Sequence, residues 1–563
     1  MLFFRWVYNG DIVISRSSYS LIIFFLLLMF LNGCGPSGTP AGNLPASQAS
    51  DNAPAYGDTL VIGTVSEPLT LNPLLATDVP TSRVMDRIFD GLLAQDSTFR
   101  LTGALAETWE VSAEGREIIF HLRHGICWHD GHPFDAGDVR FTYEQLVSPK
   151  EYSPKAGDFE RILTLEVCDS FTVRVVYSEP NVRNLRCWLV NIVPQHVFSG
   201  NRQISDFNRQ PVGTGPFIFS SWIPGEQIVL RRNRDYYAGS PFLDNIVFKI
   251  IPDSATNFVM LRRGDLDLLE LSPDQFFQHG SDESVEKQFL LQRSASSGQT
   301  FLGYNLSNAP LNDSRLRQAL TMAIDRERII GEVLHGYGRL LSGPFNPGNW
   351  ACDPSIEPIP YSPAGAMKLL KEAGFSDTDK DGKLEYQSRQ FVLRILNKDG
   401  SEERRLAAEL IGENLAAVGI ESCREYVTWP DFMSKLRSGD FDSFMLSRTY
   451  PEDPDISRFW HSSKIPSRDG TGYNYSGLQN QELDELLDRG QKVQEESDRK
   501  TICYEIHRLF HREQFCTFLF APEIIFAIDR RIHGIDFTGP AFFFRDPERW
   551  FVPSQMQKYK SAD

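Results

Sequence analysis

The chain of 563 residues lacks several features that identify other classes of protein. Its eight cysteines are irregularly spaced and include no Cys-x-x-Cys pair, so a full disulfide framework is not expected, although a single bridge such as Cys503 to Cys516 stays open. No apolar run reaches the roughly 18 residues that a membrane-spanning helix needs. There is no Gly-x-Ser-x-Gly elbow, His-Glu-x-x-His motif or P-loop, and we therefore predict no catalytic residue and no enzyme activity.

Basic residues are outnumbered, since 57 Lys and Arg stand against 74 Asp and Glu, which gives a formal net charge of −17. A chain this acidic is not expected to bind nucleic acid or to adhere broadly to anionic lipid. Its content of 41% hydrophobic and 23% charged residues is typical of a soluble globular protein. More than 500 residues are too many for one hydrophobic core, so the length predicts two or three subdomains.

Two groups of side chains invite a metal site without completing one. Asp377-Thr-Asp-Lys-Asp-Gly382 matches the start of an EF-hand calcium loop, but Ser388 stands where the bidentate glutamate is required. Four histidines surround Cys127 without the close pair spacing of zinc sites: His121, His124, His129 and His132. The sequence thus predicts neither a metal site nor a cofactor.

The first apolar run, residues 21–31, ends just before Cys34. A run this short suits the core of a secretory signal, and small Gly33 fits the position before a cleavage point. Leu-Asn-Gly-Cys also resembles the bacterial lipobox, in which the cysteine carries a lipid. We predict a signal peptide at residues 1–33 and lipidation of Cys34; an uncleaved short anchor stays open.

Residues 34–57, rich in Gly, Pro, Ser and Ala, offer almost nothing to bury. Such a segment cannot offset the entropy lost on ordering, and it predicts a flexible tether. We therefore expect the rest of the chain to lie in the cell envelope, at the periplasmic or extracytoplasmic face of the membrane that holds the lipid.

The patterning beyond the tether predicts a mixed α and β protein. Short strands broken by Gly, Pro and Asp are expected up to about residue 310, at residues 116–123, 227–231 and 245–251. Beyond residue 310 the apolar spacing of three and four predicts helices, one over 316–334 and others over 406–418, 483–487 and 502–510. Asn312 or Asp313 suits the N-cap of the first helix, Gly419 suits a left-handed C-cap of the second, and residues 518–537 return to strand-like composition.

Five blocks of sequence follow one another in a fixed order. They are residues 105–115 with 120–139, then Gly213-Thr-Gly-Pro-Phe with Trp222, Arg232-Asn-Arg-Asp-Tyr-Tyr, residues 304–326, and residues 439–442 with Asp453-Pro-Asp. This set resembles the signature of the family 5 extracellular solute-binding proteins, the peptide-, dipeptide- and nickel-binding subunits of ABC importers. The resemblance covers about residues 58–550.

The resemblance implies an α/β fold with two lobes and a ligand cleft between them, the periplasmic-binding-protein fold of cluster C type. The first lobe would span residues 58–305, with an extra subdomain at about 89–211. The second lobe would span 306–529, and residues 530–563 would return to the first lobe.

The family resemblance also implies which residues meet the ligand. In peptide-binding members the ligand backbone pairs with short segments of both lobes, which here match 78–82, before a helix expected over 84–92, and 446–454. Trp429 matches a position where an aromatic ring packs on the ligand, although a core role for it stays open. The implied ligand contacts are Val79, Pro80, Thr81, Trp429, Ser447, Arg448, Thr449, Tyr450 and Asp453.

One departure from the family concerns the ligand's amino terminus. Peptide binders usually carry an aspartate for the ammonium group at the position of Tyr450. Either Glu452 or Asp453 replaces it, or the ligand is held differently, for instance through a carboxylate on Arg448. The predicted function is capture of peptides for an ABC permease that works with a separate ATPase; the alternative is a receptor for nickel chelates or another small solute.

Overall fold

A computed structural model describes residues 52–76, 78–96, 100–148, 153–198, 204–449, 453–466, 472–493, 495–537 and 545–559. These residues belong to one unit that begins at Asn52. The predicted signal peptide, Cys34 and most of the tether lie outside the described residues, as do Tyr450 and Glu452.

The described chain opens with a region in which short strands alternate with short helices. Its elements are β1 (Thr59–Thr64), α1 (Val79–Met85), β2 (Leu93–Gln95), β3 (Leu101–Gly103), β4 (Ala106–Val111), β5 (Glu117–Leu122), α2 (Ala136–Leu146), β6 (Ile162–Asp169), β7 (Thr172–Tyr177), α3 (Arg183–Arg186), α4 (Gln195–Phe198), α5 (Ile204–Phe207), β8 (Phe217–Ile223), β9 (Gln227–Arg232), β10 (Asn245–Ile250), α6 (Ser254–Arg263), β11 (Leu268–Leu271), α7 (Pro273–His279), α8 (Glu283–Gln288), β12 (Phe289–Ala295) and β13 (Gly298–Tyr304).

Longer helices dominate the second half of the chain. Its elements are α9 (Ser314–Ala323), α10 (Arg326–Val333), β14 (Gly338–Arg339), α11 (Pro363–Glu372), β15 (Phe375–Ser376), β16 (Glu385–Tyr386), β17 (Arg389–Gln390), β18 (Val392–Lys398), α12 (Glu402–Ala416), β19 (Glu421–Val427), α13 (Trp429–Ser438), β20 (Ser443–Thr449), α14 (Ser457–Trp460), α15 (Gln481–Lys492), α16 (Glu496–Glu513) and β21 (Cys516–Asp529). Short 3₁₀ turns lie at Ala156–Asp158, Cys187–Leu189, Ser462–Lys464, Pro547–Arg549 and Ser554–Met556.

The prediction of a helix over residues 316–334 is correct for most of these residues, but they form two helices instead of one. The structure breaks it into α9 and α10 at Ile324 and Asp325, where Ile324 is extended and the Asp325 side chain accepts a hydrogen bond from the Arg328 amide as the N-cap of the second helix. Asp313 caps the first helix, as one of the two predicted residues. Apolar spacing alone missed the break, because the buried face continues through it.

The main sheet has the strand order β19-β18-β20-β13-β21-β11-β1-β10-β9-β8. The part with β1 and β8–β12 is called the first lobe below, and the part with β13 and β18–β20 the second lobe. Strand β21 pairs with β13 over residues 516–520 and with β11 and β12 over 523–529. Together with the step from β12 to β13, this single strand connects the two lobes.

A separate antiparallel sheet, β4-β5-β7-β6, packs on the first lobe. Its strands lie within residues 89–211, the range that the family resemblance assigns to an extra subdomain, and this assignment stays a prediction. Both share one hydrophobic core, which includes Phe120, Trp188 and Phe217 and reaches the C-terminal residues Trp550 and Val552. The second lobe has its own cores, between α9, α10, α12 and the sheet on one face and around α15 and α16 on the other. Among the described residues, no helix is both long and apolar enough to cross a bilayer.

The block Gly213-Thr-Gly-Pro-Phe packs against the chain that leaves α1. The amide of Gly215 donates to the Ile88 carbonyl at 2.8 Å, and a Cβ on Gly213 would lie only 1.9 Å from the same oxygen. The His129 ring contacts the same block through both of its nitrogens. Nε2 lies 2.9 Å from the Gly215 carbonyl oxygen, and Nδ1 accepts a hydrogen bond from the Gly213 amide at 3.3 Å. Burial lowers the pKa of His129 to about 4, so the ring stays neutral.

A buried ion cluster joins the two ends of the first lobe. The Arg531 guanidinium lies 2.6 Å from a carboxylate oxygen of Asp267 and also pairs with Asp58, and all three side chains are almost fully buried. The Lys558 ammonium adds bonds to Asp267 at 3.0 Å and Asp529 at 2.9 Å. Each buried charge therefore depends on an opposite charge from a distant part of the chain.

Asp90 is an acid held in a poor environment for its charge. Burial raises its pKa to about 6, although Thr214 at 3.0 Å and Tyr236 at 3.1 Å donate hydrogen bonds to it. Burial likewise raises the pKa of Glu548 to about 7, and Asp90 is among the charges that add to this rise.

We expect Gly213→Ala to lower the free energy of unfolding by about 3 kcal/mol or more, because the new Cβ overlaps the Ile88 carbonyl oxygen. The matched control is Gly331→Ala in α10, where nothing lies within 4 Å of an added Cβ. Alanine there favours the helix by about 0.5–1 kcal/mol. Denaturant melts of both variants check the pair; equal stability of the two would contradict the packing argument.

Arg531→Met should cost about 3–5 kcal/mol of stability, since it leaves Asp58 and Asp267 buried without their main partner. Lys287→Met, which removes an exposed partner of Glu283, should change stability by no more than about 0.5 kcal/mol. Thermal unfolding followed by circular dichroism measures both. A loss at Arg531 no greater than that at Lys287 would show that the cluster adds little.

The raised pKa of Asp90 gives stability a pH dependence. A buried acid whose folded pKa lies above its unfolded value stabilises the fold at low pH, and this contribution is lost as pH rises through about 6. The free energy of unfolding of Asp90→Asn, relative to that of the wild type, should therefore increase by about 2 kcal/mol from pH 4 to pH 8. Exposed Glu114→Gln is the control, with melting points taken across that range; parallel curves for Asp90→Asn and wild type would refute the shift.

Candidate functional site

The carboxyl ends of three strands of the second lobe lie at one edge of its sheet. Strands β18, β19 and β20 run parallel, so Lys398, Val427 and Thr449 lie at the same end of the sheet, where β20 extends furthest. Thr449 lies opposite Gly298, next to the step from β12 to β13. This edge therefore faces the first lobe, and the carboxyl ends of strands are where open α/β sheets bind their ligands.

The first lobe presents the matching edge. Strand β1 runs parallel to β10 and β11, so that Thr64, Ile250 and Leu271 end on the same side. In the pairing of β11 with β21, Leu268 lies opposite Ile528 and Leu271 lies opposite Ile525. Ile525 is the closer of the two to the part of β21 that pairs with the second lobe, so the carboxyl end of β11 points toward that lobe. The two edges thus face each other across the connecting strands and form the cleft.

Trp429 stands at the edge of the second lobe as the first residue of α13. Its side chain is 47% exposed, its ring stacks on Phe432 at 5.7 Å, and the Lys398 ammonium lies 5.5 Å from the ring centroid. An indole that is about half exposed and supported by a stacked ring can receive a ligand on its exposed surface. The alternative role of Trp429 as a core residue does not fit this exposure.

The last residues of β20 line the same edge. Ser447 and Thr449 are exposed, and the Ser447 hydroxyl lies 2.9 Å from that of Thr300. The Arg448 guanidinium rests 4.1 Å from the ring centroid of Phe459 and donates to the Tyr473 carbonyl at 3.4 Å. The Arg448 side chain is thus held by an aromatic ring and a backbone carbonyl of its own lobe.

The segment matched to the ligand strand of the first lobe is a helix start. Helix α1 begins at Val79, not at residue 84 as predicted, and Asp78 is its N-cap. Thr81 is fully buried and donates to the Asp78 carboxylate from both its amide and its hydroxyl, each at 2.8 Å. Val79 is 53% exposed, and Pro80 lines a small cavity with Thr64. The Thr81 side chain therefore serves the cap.

Asp453, the last predicted ligand contact, has its carboxylate bound by two arginines. Arg499 makes two bonds to it, at 2.7 and 2.5 Å, and Arg186 of the first lobe lies at 3.0 Å. Burial opposes the charge, but the hydrogen bond and charge of Arg499 prevail and lower the pKa of Asp453. Both arginines lie far from Asp453 in the sequence, so no local pattern indicates that they are its partners.

Three of the four histidines around Cys127 make contacts with other groups of the protein. His129 uses both ring nitrogens in the Gly213 block, His121 pairs with Glu110 and His124 stacks on Phe171. Within the described part of the chain, one acidic group has ligand atoms close enough to share an ion, within 4.8 Å of one another: Asp377, Asp379, Asp381 and Glu385. The cysteines of the described chain are free, Cys503 and Cys516 included.

Comparison with known proteins places the chain in a family. A model of the bacterial extracellular solute-binding proteins, family 5, middle region, matches residues 100–468. The oligopeptide-binding protein AppA of Bacillus subtilis is 28% identical over 550 residues, which cover 94% of this chain and 98% of that protein.

Solved structures agree with the sequence match. AppA of Bacillus subtilis in complex with a nonapeptide has a TM-score of 0.76 at 26% identity and covers 89% of this chain and 100% of its own. NikZ of Campylobacter jejuni in complex with Ni(L-His) has a TM-score of 0.76 at 26% identity and covers 88% and 99%. The predicted two-lobed α/β fold is therefore confirmed, and the chain belongs to the bacterial extracellular solute-binding proteins of family 5.

Proposed function

We propose that this protein captures peptides of oligopeptide length between its two lobes and delivers them to an ABC permease. The observation that carries the proposal is the match to an oligopeptide-binding protein over almost the entire length of both chains. A solved structure of that relative holds a nonapeptide in the same fold. The facing strand edges of the two lobes give this chain a place for such a ligand.

Residues of the N-terminal segment would attach the receptor to its membrane. We propose cleavage after Gly33, a lipid on Cys34 and a tether up to residue 57, with the receptor in the cell envelope outside the cytoplasm. Tyr56 already touches the folded part, with its ring 4.9 Å from that of Phe242. The permease would span the membrane, and a separate subunit would hydrolyse ATP.

The ligand would lie along the end of β20 and against Trp429. Main-chain pairing is indifferent to side chains, which suits a receptor for many peptides. We propose Ser447, Thr449 and Tyr450 as contacts of this kind, and Val79 and Pro80 as contacts made by the first turn of α1. The lobe limits given above are the proposed domain division. Trp429 would supply a flat apolar surface that tolerates varied side chains.

The ends of the peptide would be recognised differently from the usual family pattern. Arg448 would place a positive charge at the end of β20, which favours a ligand carboxylate there. Asp453 is poorly placed to receive an ammonium, because Arg499 and Arg186 already occupy its oxygens. We propose that Asp453 instead fixes the chain that follows β20.

A nickel chelate or another small solute is the second candidate, since NikZ in complex with Ni(L-His) has the same fold at similar identity. We propose no catalytic role for any residue, because the family consists of binding proteins. Peptide recovered intact after long incubation with the protein would support this.

We expect natively purified protein to release peptides on denaturation, and these peptides to raise its melting temperature when added back. A ligand at about 100 times its dissociation constant adds roughly 2.7 kcal/mol to the stability of the folded state. Mass spectrometry identifies the ligands, and a thermal-shift series with nonapeptides, dipeptides and nickel–histidine compares the classes. A shift with nickel–histidine alone would overturn the peptide proposal.

Trp429→Ala should weaken peptide binding about tenfold, equivalent to about 1.4 kcal/mol, because the ligand loses its aromatic support. Tyr361→Ala is the control, since Tyr361 is 44% exposed, close to the exposure of Trp429. Titration calorimetry measures both. Equal affinities for the two variants would remove Trp429 from the site.

A further inference from the structure

The two lobes also meet away from their connecting strands, through a set of charged side chains. The set, called the interlobe cluster below, consists of Asp158, Arg183 and Arg186 from the first lobe and Asp453, Asp455 and Arg499 from the second.

Direct bonds link the two halves of the interlobe cluster. Arg186 lies 3.0 Å from the Asp453 carboxylate, and Arg183 lies 3.5 Å from that of Asp455. Beside them the Val182 amide donates to the Gln491 carbonyl at 2.8 Å, a backbone bond between lobes. These contacts fix the lobes relative to each other at residues with no direct chain connection.

The charges of the two halves are complementary. The first-lobe half carries two arginines and one aspartate, a net charge of +1, and the second-lobe half carries two aspartates and one arginine, a net charge of −1. The side chains of Asp453 and Asp455 are 10% and 6% exposed, so these bonds are screened less than surface pairs.

The second-lobe half is held ready for its partner. Arg499 binds Asp453 with both prongs of its guanidinium, and the Gln491 amide lies 3.3 Å from Asp455. Separation of the lobes would leave these carboxylates in place but remove Arg183 and Arg186. The bonds between lobes thus exist only while the lobes are together.

We infer that the interlobe cluster is a latch, in which Arg186 and Arg183 act as positioning residues that stabilise the closed arrangement of the lobes. An interaction made in only one of two states shifts the equilibrium toward that state. Apparent ligand affinity scales with the fraction of protein in the binding-competent state, so the latch also sets affinity. This last step rests on the proposed function, whereas the effect on the lobes does not.

The latch lies close to the proposed ligand contacts in the chain. Asp453 follows soon after Thr449, the last residue of β20. A ligand bound along β20 and a latch formed at Asp453 would therefore act on the same segment, and both favour closure.

Arg186→Met tests the latch through the distance between the lobes. Spin labels on Cys168 in β6 and Cys423 in β19, both exposed, report this distance in full-length protein whose Cys34, Cys127 and Cys352 are serine. Without added peptide, the variant should shift the distance distribution to longer values than wild type. Arg186→Lys, which keeps the charge, should restore part of the short-distance population.

The apparent affinity of the same variants for peptide is measured with an equimolar pool of nonapeptides as the probe. We expect Arg186→Met to weaken the apparent affinity about 5- to 50-fold while the melting temperature of the unliganded protein stays nearly constant. Arg161→Met is the matched control, because Arg161 pairs with Glu179 at 3.5 Å within the first lobe at similar exposure. It should move neither the distance nor the affinity.

Arg183→Met provides an independent variant, since it removes the bond to Asp455 and leaves Arg186 on Asp453. Unchanged lobe distances in both Arg186→Met and Arg183→Met would overturn the latch. Absence of any peptide response in wild type would instead refute the proposed function, and the distance measurement would still decide the latch.

Discussion

Strand β21 belongs to both lobes at once, because its 14 residues pair with β13 of the second lobe and with β11 of the first. One end completes the sheet of the second lobe beside β13, and the other lies between β11 and β12 in the first. The lobes therefore share a hydrogen-bonded ladder instead of a loose linker. Their relative motion must take place by bending and twisting of strands, which keeps the facing edges aligned.

Two groups of buried charges serve different purposes around this strand. The group at Arg531 holds the first lobe together and contains no residue of the second lobe. The group at Asp453 joins opposite lobes and is divided between them. Buried ion pairs contribute little net stability but impose a strict geometric requirement. The Arg531 group therefore constrains the geometry of the folded first lobe. The Asp453 group constrains the position of one lobe relative to the other.

The sequence allowed the fold to be predicted where local patterns carry the information. Gly419 lies in the left-handed region close behind α12, and Asp313 caps α9, both as the residue types suggest. The five sequence blocks predicted the two-lobed fold through their resemblance to a family. A glycine in such a block can be required by close packing, as at Gly213, where an added Cβ would overlap the Ile88 carbonyl oxygen. Patterns along the chain correctly indicate such close contacts, since each residue type permits few alternatives.

Other parts could not be predicted, because they depend on pairs of residues that are distant in sequence. Nothing in the Asp453-Pro-Asp block reveals that Arg186 and Arg499 meet its first carboxylate. The start of α1 at Val79 was missed because Pro80 in its first turn also suits an extended segment. The edge formed by Lys398, Val427 and Thr449 likewise follows only from the strand order.

The Arg531 cluster has a consequence for how the protein is made. Asp58 and Arg531 are separated by 473 residues, and the core of the first lobe also needs Trp550 from near the end of the chain. At about 5–20 residues per second, synthesis takes roughly 25–95 seconds to pass from one partner to the other. During that time Asp58 lacks its arginine partner, and the hydrophobic core of the first lobe lacks Trp550. The first lobe can therefore complete its core only after nearly the whole chain has been made.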